Sequence, residues 1–521
     1  MKIKYKLLCM MMCFFLLSIG CTKIDNEIVL DKETLTIVEG QSYKLILVSG
    51  DVHGLEWISS NLSIASVEEG LVTAISPGVA TITAKSNENI DTCIITVTED
   101  TSPKIELSTK VLTLKAGEKH QLYAQPVFVD GDIAWTSSKN NVAMVDEEGN
   151  ITAYSAGKVI ISASIGSVSG TCAITVKNPV DNLDSIDFYI NIEEGREIRV
   201  LQLSDTQIID SSQMRNINRL GESSIEAWAP EKMYENCFKY ILEGIERTNP
   251  DFIFIAGDVI YGEFDDEGTS LEALIEFMDS FKIPWGLVFG NHENESYKGV
   301  AWQVEQLYNS QYCLFKRGNI TGNSNYSVGI LQGVKLARII YLIDSNGCKK
   351  AANPDEVRGL AGIAQDQVQW LNYVGDSVKK ALGKSVPSIA TWHIVSYEFS
   401  EALDQKYPYP DIRKNTTSFE IGNSFDAKDN DFGSMKEGFN GLFNTPGLYE
   451  ALKLCGVDGV FIGHNHEINT SIFYKDIRWT FGLKTGTYDS YTMGKVGSTS
   501  IVFNDSVREI LVKHIYFGQV D

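Results

Sequence analysis

Five times in the second part of the chain, an apolar run of strand length stops at residues able to hold a metal ion. The stretches are QLSDTQ (Asp205, Gln207), IAGDVIYG (Asp258, Tyr261), VFGNHE (Asn291, His292, Glu293), ATWH (His393) and IGHNH (His464, His466). Beyond residue 185, His514 is the one histidine outside this set. Between the runs lie helical patterns, at 231–249, at 269–281 and in the amphipathic GIAQDQVQWLNYVGDSVKKAL. This alternation predicts an α/β domain over 185–521 with helices on both faces. Sites in such sheets form where loops leave the carboxyl ends of strands, and the polar residues collect there.

Carboxylate, amide and imidazole donors together suit first-row transition metals. Glycines precede Asp258, Asn291 and His464, and a glycine lets the backbone turn at a strand end with no side chain in the way. On an extended segment the rings of His464 and His466 face one side, within reach of two ions a few ångströms apart. A lone Gly-Asp or His-x-His is more often a turn or a polar core residue. Five such stretches in order point to a metal centre.

The first 180 residues have a different grammar. LEWISSNLSIASVEEGLVTAISPGVATITA at 55–84 lines up with IAWTSSKNNVAMVDEEGNITAYSAGKVIISA at 133–163. Trp57 falls on Trp135, Gly70 on Gly149, Gly78 on Gly157 and Cys93 on Cys172, a period of about 79 residues. Short alternating runs separated by Gly, Pro, Asn and Asp predict two small all-β sandwiches, at 28–99 and 103–178. Both copies resemble group 2 bacterial Ig-like domains through the W-x-S-S … G-x-[VI]-T-A-x-x-[PA]-G pattern.

Lys2, Lys4 and Lys6 precede an apolar run, Leu7 to Leu17, too short to span a bilayer as a helix. That order is a secretory signal, expected over 1–20, with a tether at 21–27. LLSIGC resembles a bacterial lipoprotein signal, although Leu17 sits one place early, and the resemblance implies lipidation of Cys21. The protein would then sit in the cell envelope, anchored without spanning. An ordinary cleaved signal is the alternative. Of nine cysteines, Cys9 and Cys13 leave with the signal. The six beyond Cys21 lack CxxC spacing and read as buried small apolar residues, with Cys313–Cys348 the one pair considered for a bridge. A net charge of −23 argues against docked nucleic acid. A small phosphorylated substrate stays open, since a bound metal inverts the local field.

The order D-x-Q … GD … GNHE … H … GHxH, over 197–490, resembles the calcineurin-like metallophosphoesterase superfamily. AGDVIYGE, ITGNSNYSVGI, YLIDS, AQDQVQWL and TFGLKTGTYDSY are similar to the branch holding fungal cell-cycle phosphatases and plant purple-acid-phosphatase-like proteins. The resemblance implies an α-β-β-α sandwich binding two divalent or trivalent ions of iron, zinc or manganese. One ion would take Asp205, Asp258 and His466, the other Asn291, His393 and His464, with Asp258 bridging. Metal-bound hydroxide would attack a phosphate mono- or diester, with His292 beside the leaving group. The substrate expected is a phosphorylated small molecule or glycan. Three departures stand out. Gln207 replaces the usual histidine of D-x-H as a weaker neutral ligand. Tyr261, placed as in GDxxY, is either a substitute ligand or a packed ring. HIVSYEF follows His393 in place of HIPLPEY. The polar, aromatic stretch 403–445 reads as a lid or insertion, with Arg413, Lys414 and Lys436 as candidate phosphate contacts. The rival reading is an adhesion or glycan-binding protein whose Ig-like copies do the work beside a degenerate enzyme domain.

Overall fold

A computed structural model describes residues 27–50, 53–87, 89–216, 218–347, 352–353, 361–407, 419–422, 430–487, 496–504 and 509–518. Cys21, Cys348, Arg413 and Lys414 lie outside the described residues. The chain divides into two compact units at Pro103/Lys104.

The two sandwich copies share one topology. In the first, a four-stranded sheet runs Thr34–Val38, Asn89–Thr98, Gly78–Ser86, Glu56–Ser59. In the second, Val111–Lys115, Val168–Lys177, Gly157–Ile165 and Ala134–Ser137 follow the same order. The paired tryptophans and glycines of the repeat have one physical cause. A Cβ on Gly70 would lie 2.9 Å from the Trp57 ring, and one on Gly149 would lie 2.8 Å from the Trp135 ring. Both glycines also hold positive φ, 82° and 81°, which side chains resist.

The copies differ in their surroundings. The first closes its own core around Ile82, Cys93 and Ile95. The second shares a core with the C-terminal domain, where Val159 and Ile174 join one cluster with Tyr189 and Leu331. Tyr189 N–H donates to Tyr154 O at 2.6 Å across that junction.

The C-terminal domain carries two mixed sheets. One orders Trp285–Val288, Phe252–Ala256, Ile198–Leu203, Gly497–Asn504 and Glu509–Tyr516. The other orders Phe188–Ile192, Tyr326–Gln332, Lys335–Leu342, Ser388–Thr391, Val457–Ile462, Ile477–Phe481 and Ser471–Tyr474. They meet face to face: Phe254 of the first packs edge-on to Phe461 of the second, with centroids 6.4 Å apart. Helices cover the outer faces. Lys239–Thr248 buries Ile241, Gly244 and Ile245 and stops at Asn249, whose φ of 44° supplies a left-handed cap before Pro250. Gln365–Leu382 buries Val368, Leu371, Val374 and Val378 and ends at Gly383 with φ 73°. This is the α-β-β-α arrangement expected. Cys93, Cys172, Cys237, Cys313 and Cys455 are buried free thiols, so Cys313 takes part in no bridge. No helix among the described residues is long and apolar enough to cross a membrane.

Candidate metal centre

Each of the five stretches follows the carboxyl end of a strand. Asp205, Asp258 and Asn291 leave three parallel strands of one sheet, while His393, His464 and His466 leave two parallel strands of the other. The loops turn hard. Asp205, Gln207, Asp258 and His464 hold φ of 49°, 41°, 48° and 73°, a region that costs non-glycine residues about 1 kcal/mol or more. The glycines act in two ways. Gly257 turns at φ 86°, as expected. Gly290 and Gly463 instead permit close approach, since a Cβ there would lie 2.2 Å from Asp258 Oδ1 and 2.7 Å from Asp205 Oδ2.

One ligand atom each from Asp258, His393 and His464 falls within 4.8 Å of the others. His393 Nε2 lies 3.1 Å from Asp258 Oδ2 and 3.2 Å from His464 Nδ1. His393 Nδ1 donates to Ala256 O at 2.8 Å, which leaves Nε2 facing inward, as a histidine ligand requires. Asn291 Oδ1 is a buried acceptor with no hydrogen-bond donor, a cost that a cation would remove. On the adjoining side His466 Nε2 lies 3.3 Å from Asp205 Oδ1. The His464 N–H donates to Asp205 Oδ2 at 3.0 Å, tying the two sides together. These donors fit metal ions.

The electrostatics agree. Burial disfavours a charged His393, yet attraction to Asp258 outweighs it and raises the imidazole pKa to about 10. For His464, burial and the neighbouring His393 charge both act downward, to about 3. Burial likewise opposes charge on Asp205, but the His466 hydrogen bond and charge keep its carboxyl below the usual range. The carboxylates thus hold a positive charge between them even when only a proton supplies it.

His292 faces the same centre, with Nε2 3.8 Å from Asp258 Oδ2. Its Nδ1 pairs with Glu295 Oε2 at 2.7 Å, and its ring lies 4.1 Å from that of Tyr261. Tyr261 meets the Arg219 guanidinium through its hydroxyl, a contact in keeping with the packed role. Gln207 departs from the expectation. Its Oε1 accepts from Lys484 Nζ at 2.8 Å, and its Nε2 donates to Asp258 Oδ2 at 3.3 Å. The oxygen meant for a cation is taken by an ammonium.

Glu293 stands apart from the ligands. Its Oε1 accepts from Val259 N at 2.5 Å and its Oε2 from Gly290 N at 2.6 Å, pinning two ligand loops together. Glu295 and Lys484 were not singled out by sequence reasoning. The signal for Lys484 was a lone charge in TFGLKTG, an otherwise uncharged run after a strand. In the 403–445 stretch, residues 436–441 lie against the GHNH loop. Asn465 Nδ2 donates to Gly438 O at 3.0 Å, and a Cβ on Gly441 would lie 3.7 Å from His464 Nε2. Lys436 is exposed, and its backbone N–H donates to Glu467 O at 2.9 Å.

Comparison with known proteins agrees with this geometry. The chain is 28% identical over 228 residues to an uncharacterized protein of Schizosaccharomyces pombe, spanning 43% of this chain and 41% of that one. It is 24% identical over 323 residues to an Arabidopsis thaliana protein named probable inactive purple acid phosphatase 29, covering 58% and 74%. It is 25% identical over 246 residues to phosphatase DCR2 of Saccharomyces cerevisiae, covering 44% and 38%. The chain therefore spans less than half the length of the first and third. A model of the bacterial Ig-like domain (group 2) matches residues 102–176. A model of the calcineurin-like phosphoesterase matches residues 198–467, more than half the chain and all of the metal-competent loops. The chain belongs to the calcineurin-like phosphoesterase family.

Proposed function

We propose that this chain is an exported, membrane-anchored phosphoesterase that hydrolyses phosphate mono- or diesters on small molecules or glycans. The observation that carries the reading is the convergence of Asp258, His393 and His464 within 4.8 Å, beside the orphaned Asn291 Oδ1. Bound cations would supply Lewis acidity, acidifying a water and drawing charge off the phosphoryl oxygens. The ligands proposed are Asp205, Asp258 and His466 on one side and Asn291, His393 and His464 on the other, with iron, zinc or manganese as candidates. His292 is the proton donor to the leaving oxygen. With Nδ1 held by Glu295, its Nε2 is the nitrogen nearer Asp258. Hydrogen-bonded at Nδ1 to Glu295, the ring would present an Nε2 proton toward the leaving oxygen. Strained, close-packed loops hold these groups in place before substrate arrives. The basic-then-apolar N-terminus and Cys21 support export and anchoring, and the Ig-like match fits a surface setting.

The test measures metal content of the purified protein and its hydrolysis of p-nitrophenyl phosphate and the bis ester. Activity should vanish with EDTA and return with one of the three metals. Full activity after chelation would sink the metal mechanism. The engaged oxygen of Gln207 favours one second reading, a degenerate centre beside working Ig-like copies. Near-zero metal together with no hydrolysis would select it.

A further inference from the structure

We propose that Lys484 is a positioning residue that removes Gln207 from the ligand set and makes the centre asymmetric. A cation is then held firmly by Asp258, Asn291, His393 and His464, and only weakly on the side of Asp205 and His466. This rests on the metal-centre reading above and refines it.

The orientation of the Gln207 amide is forced. Its oxygen faces Lys484 Nζ at 2.8 Å, a group that only donates, and its NH2 faces Asp258 Oδ2 at 3.3 Å, a group that only accepts. Turning the amide over would set N–H against N–H and oxygen against oxygen. Gln207 therefore acts as a bridge between a lysine and the shared aspartate. Lys484 in turn is fixed. It is buried, at 3% exposure, and also donates to Asp205 O at 3.0 Å. Its backbone is clamped to the same loop, with Thr485 N donating to Ser204 O at 2.8 Å and Gly486 N to Asp205 O at 3.1 Å. A Cβ on Gly486 would fall 2.0 Å from Thr206 O, so glycine allows the two strand-end loops to press together. The result is an immobile positive charge beside Asp205. It repels a cation on that side through a low-dielectric interior. On the other side Asn291 Oδ1 has no donor to displace.

The test titrates Mn2+ into chelator-stripped protein by calorimetry and counts bound ions by elemental analysis. The full chain should bind one ion roughly ten-fold or more tighter than a second. Lys484→Met should tighten the second ion by roughly ten-fold, while Lys484→Arg, which keeps the charge, should match the parent. Gln207→Ala keeps the proposal testable should Lys484→Met not fold, and should leave both affinities within about two-fold. Two equal affinities in the parent, no tightening in a folded Lys484→Met, or loss of an ion in Gln207→Ala would each overturn the asymmetry while sparing the metal centre. Absence of any bound ion in the parent would overturn both.

Discussion

The sandwich copies and the phosphoesterase domain are both largely strand, yet they bury different things. In the copies the strands alternate, as in Gly157–Ile165, with one side chain in and the next out. Among the described residues before 180, Ser86 is the one buried polar residue. In the phosphoesterase domain Phe252–Ala256 and Trp285–Val288 are buried throughout, and Asp205, Asp258, Glu293, Glu295, His393 and Lys484 are buried just beyond strand ends. Such charges are tolerable only when paired or hydrogen-bonded. A module that closes with apolar atoms has solved a packing problem alone. A domain that keeps charge inside must also pair each buried group, and at the strand ends those pairs converge on the metal-competent loops. Glycines mark the same contrast, since Gly70 makes room for the Trp57 ring and Gly290 for the Asp258 carboxylate.

The sharpest way to break this contrast is Asp258→Asn, which removes the shared carboxylate. Turnover should fall by roughly 10³-fold or more, with loss of metal measured alongside kcat. Retained activity would mean the buried charges serve stability only. Next comes the pair of glycines. Gly290→Ala should cut kcat/KM by roughly 10–100-fold with the fold retained by circular dichroism, because its Cβ would lie 2.2 Å from Asp258 Oδ1. Gly70→Ala should leave kcat/KM alone and destabilise the first copy by about 1–3 kcal/mol, read by chemical denaturation. An activity effect from Gly70→Ala would erase the distinction.

A smaller effect separates buried ionisable groups outside the centre. Burial lowers the His514 pKa to about 4, despite its bond to Asn469 O. The folded value lies below the 6.5 of an ordinary histidine, so its stability contribution is full above that pH and is lost as pH falls toward 4. Between pH 7 and 5 the domain should lose about 2 kcal/mol through this ring. Denaturation of His514→Gln at both pH values should show that share of the slope gone. The smallest expectation concerns an outward strand position. Val79 is 58% exposed, and Val79→Thr should change stability by less than about 0.5 kcal/mol.

Much of the fold was legible because strands and helices write their periods into the chain. The repeat aligned two sandwiches whose strand orders proved identical, and the apolar runs marked the five strands that carry the ligand loops. The gathering of the donors followed from their place after those runs. What went unread depended on side-chain direction. Gln207 and Tyr261 occupy motif positions, but Lys484 engages the oxygen of one and Arg219 the hydroxyl of the other, and both partners lie far off in sequence. The glycines before Asn291 and His464 looked like turn residues and proved to be spacers against another loop. The second sandwich gave no sequence sign that it shares a core with its neighbour, because exposed and interfacial apolar residues look alike in one dimension.

The sequence by itself determined the layout and the donor set: two sandwiches, then an α/β domain with carboxylates, amides and imidazoles at strand ends. Hydrophobic period and residue chemistry are local properties, and local properties survive in a linear string. Only the tertiary structure decided which donors face one another, which oxygen is already taken by a lysine, and that the second sandwich shares a core with the phosphoesterase domain. Those are distances between groups hundreds of positions apart, fixed when two sheets close on a common core.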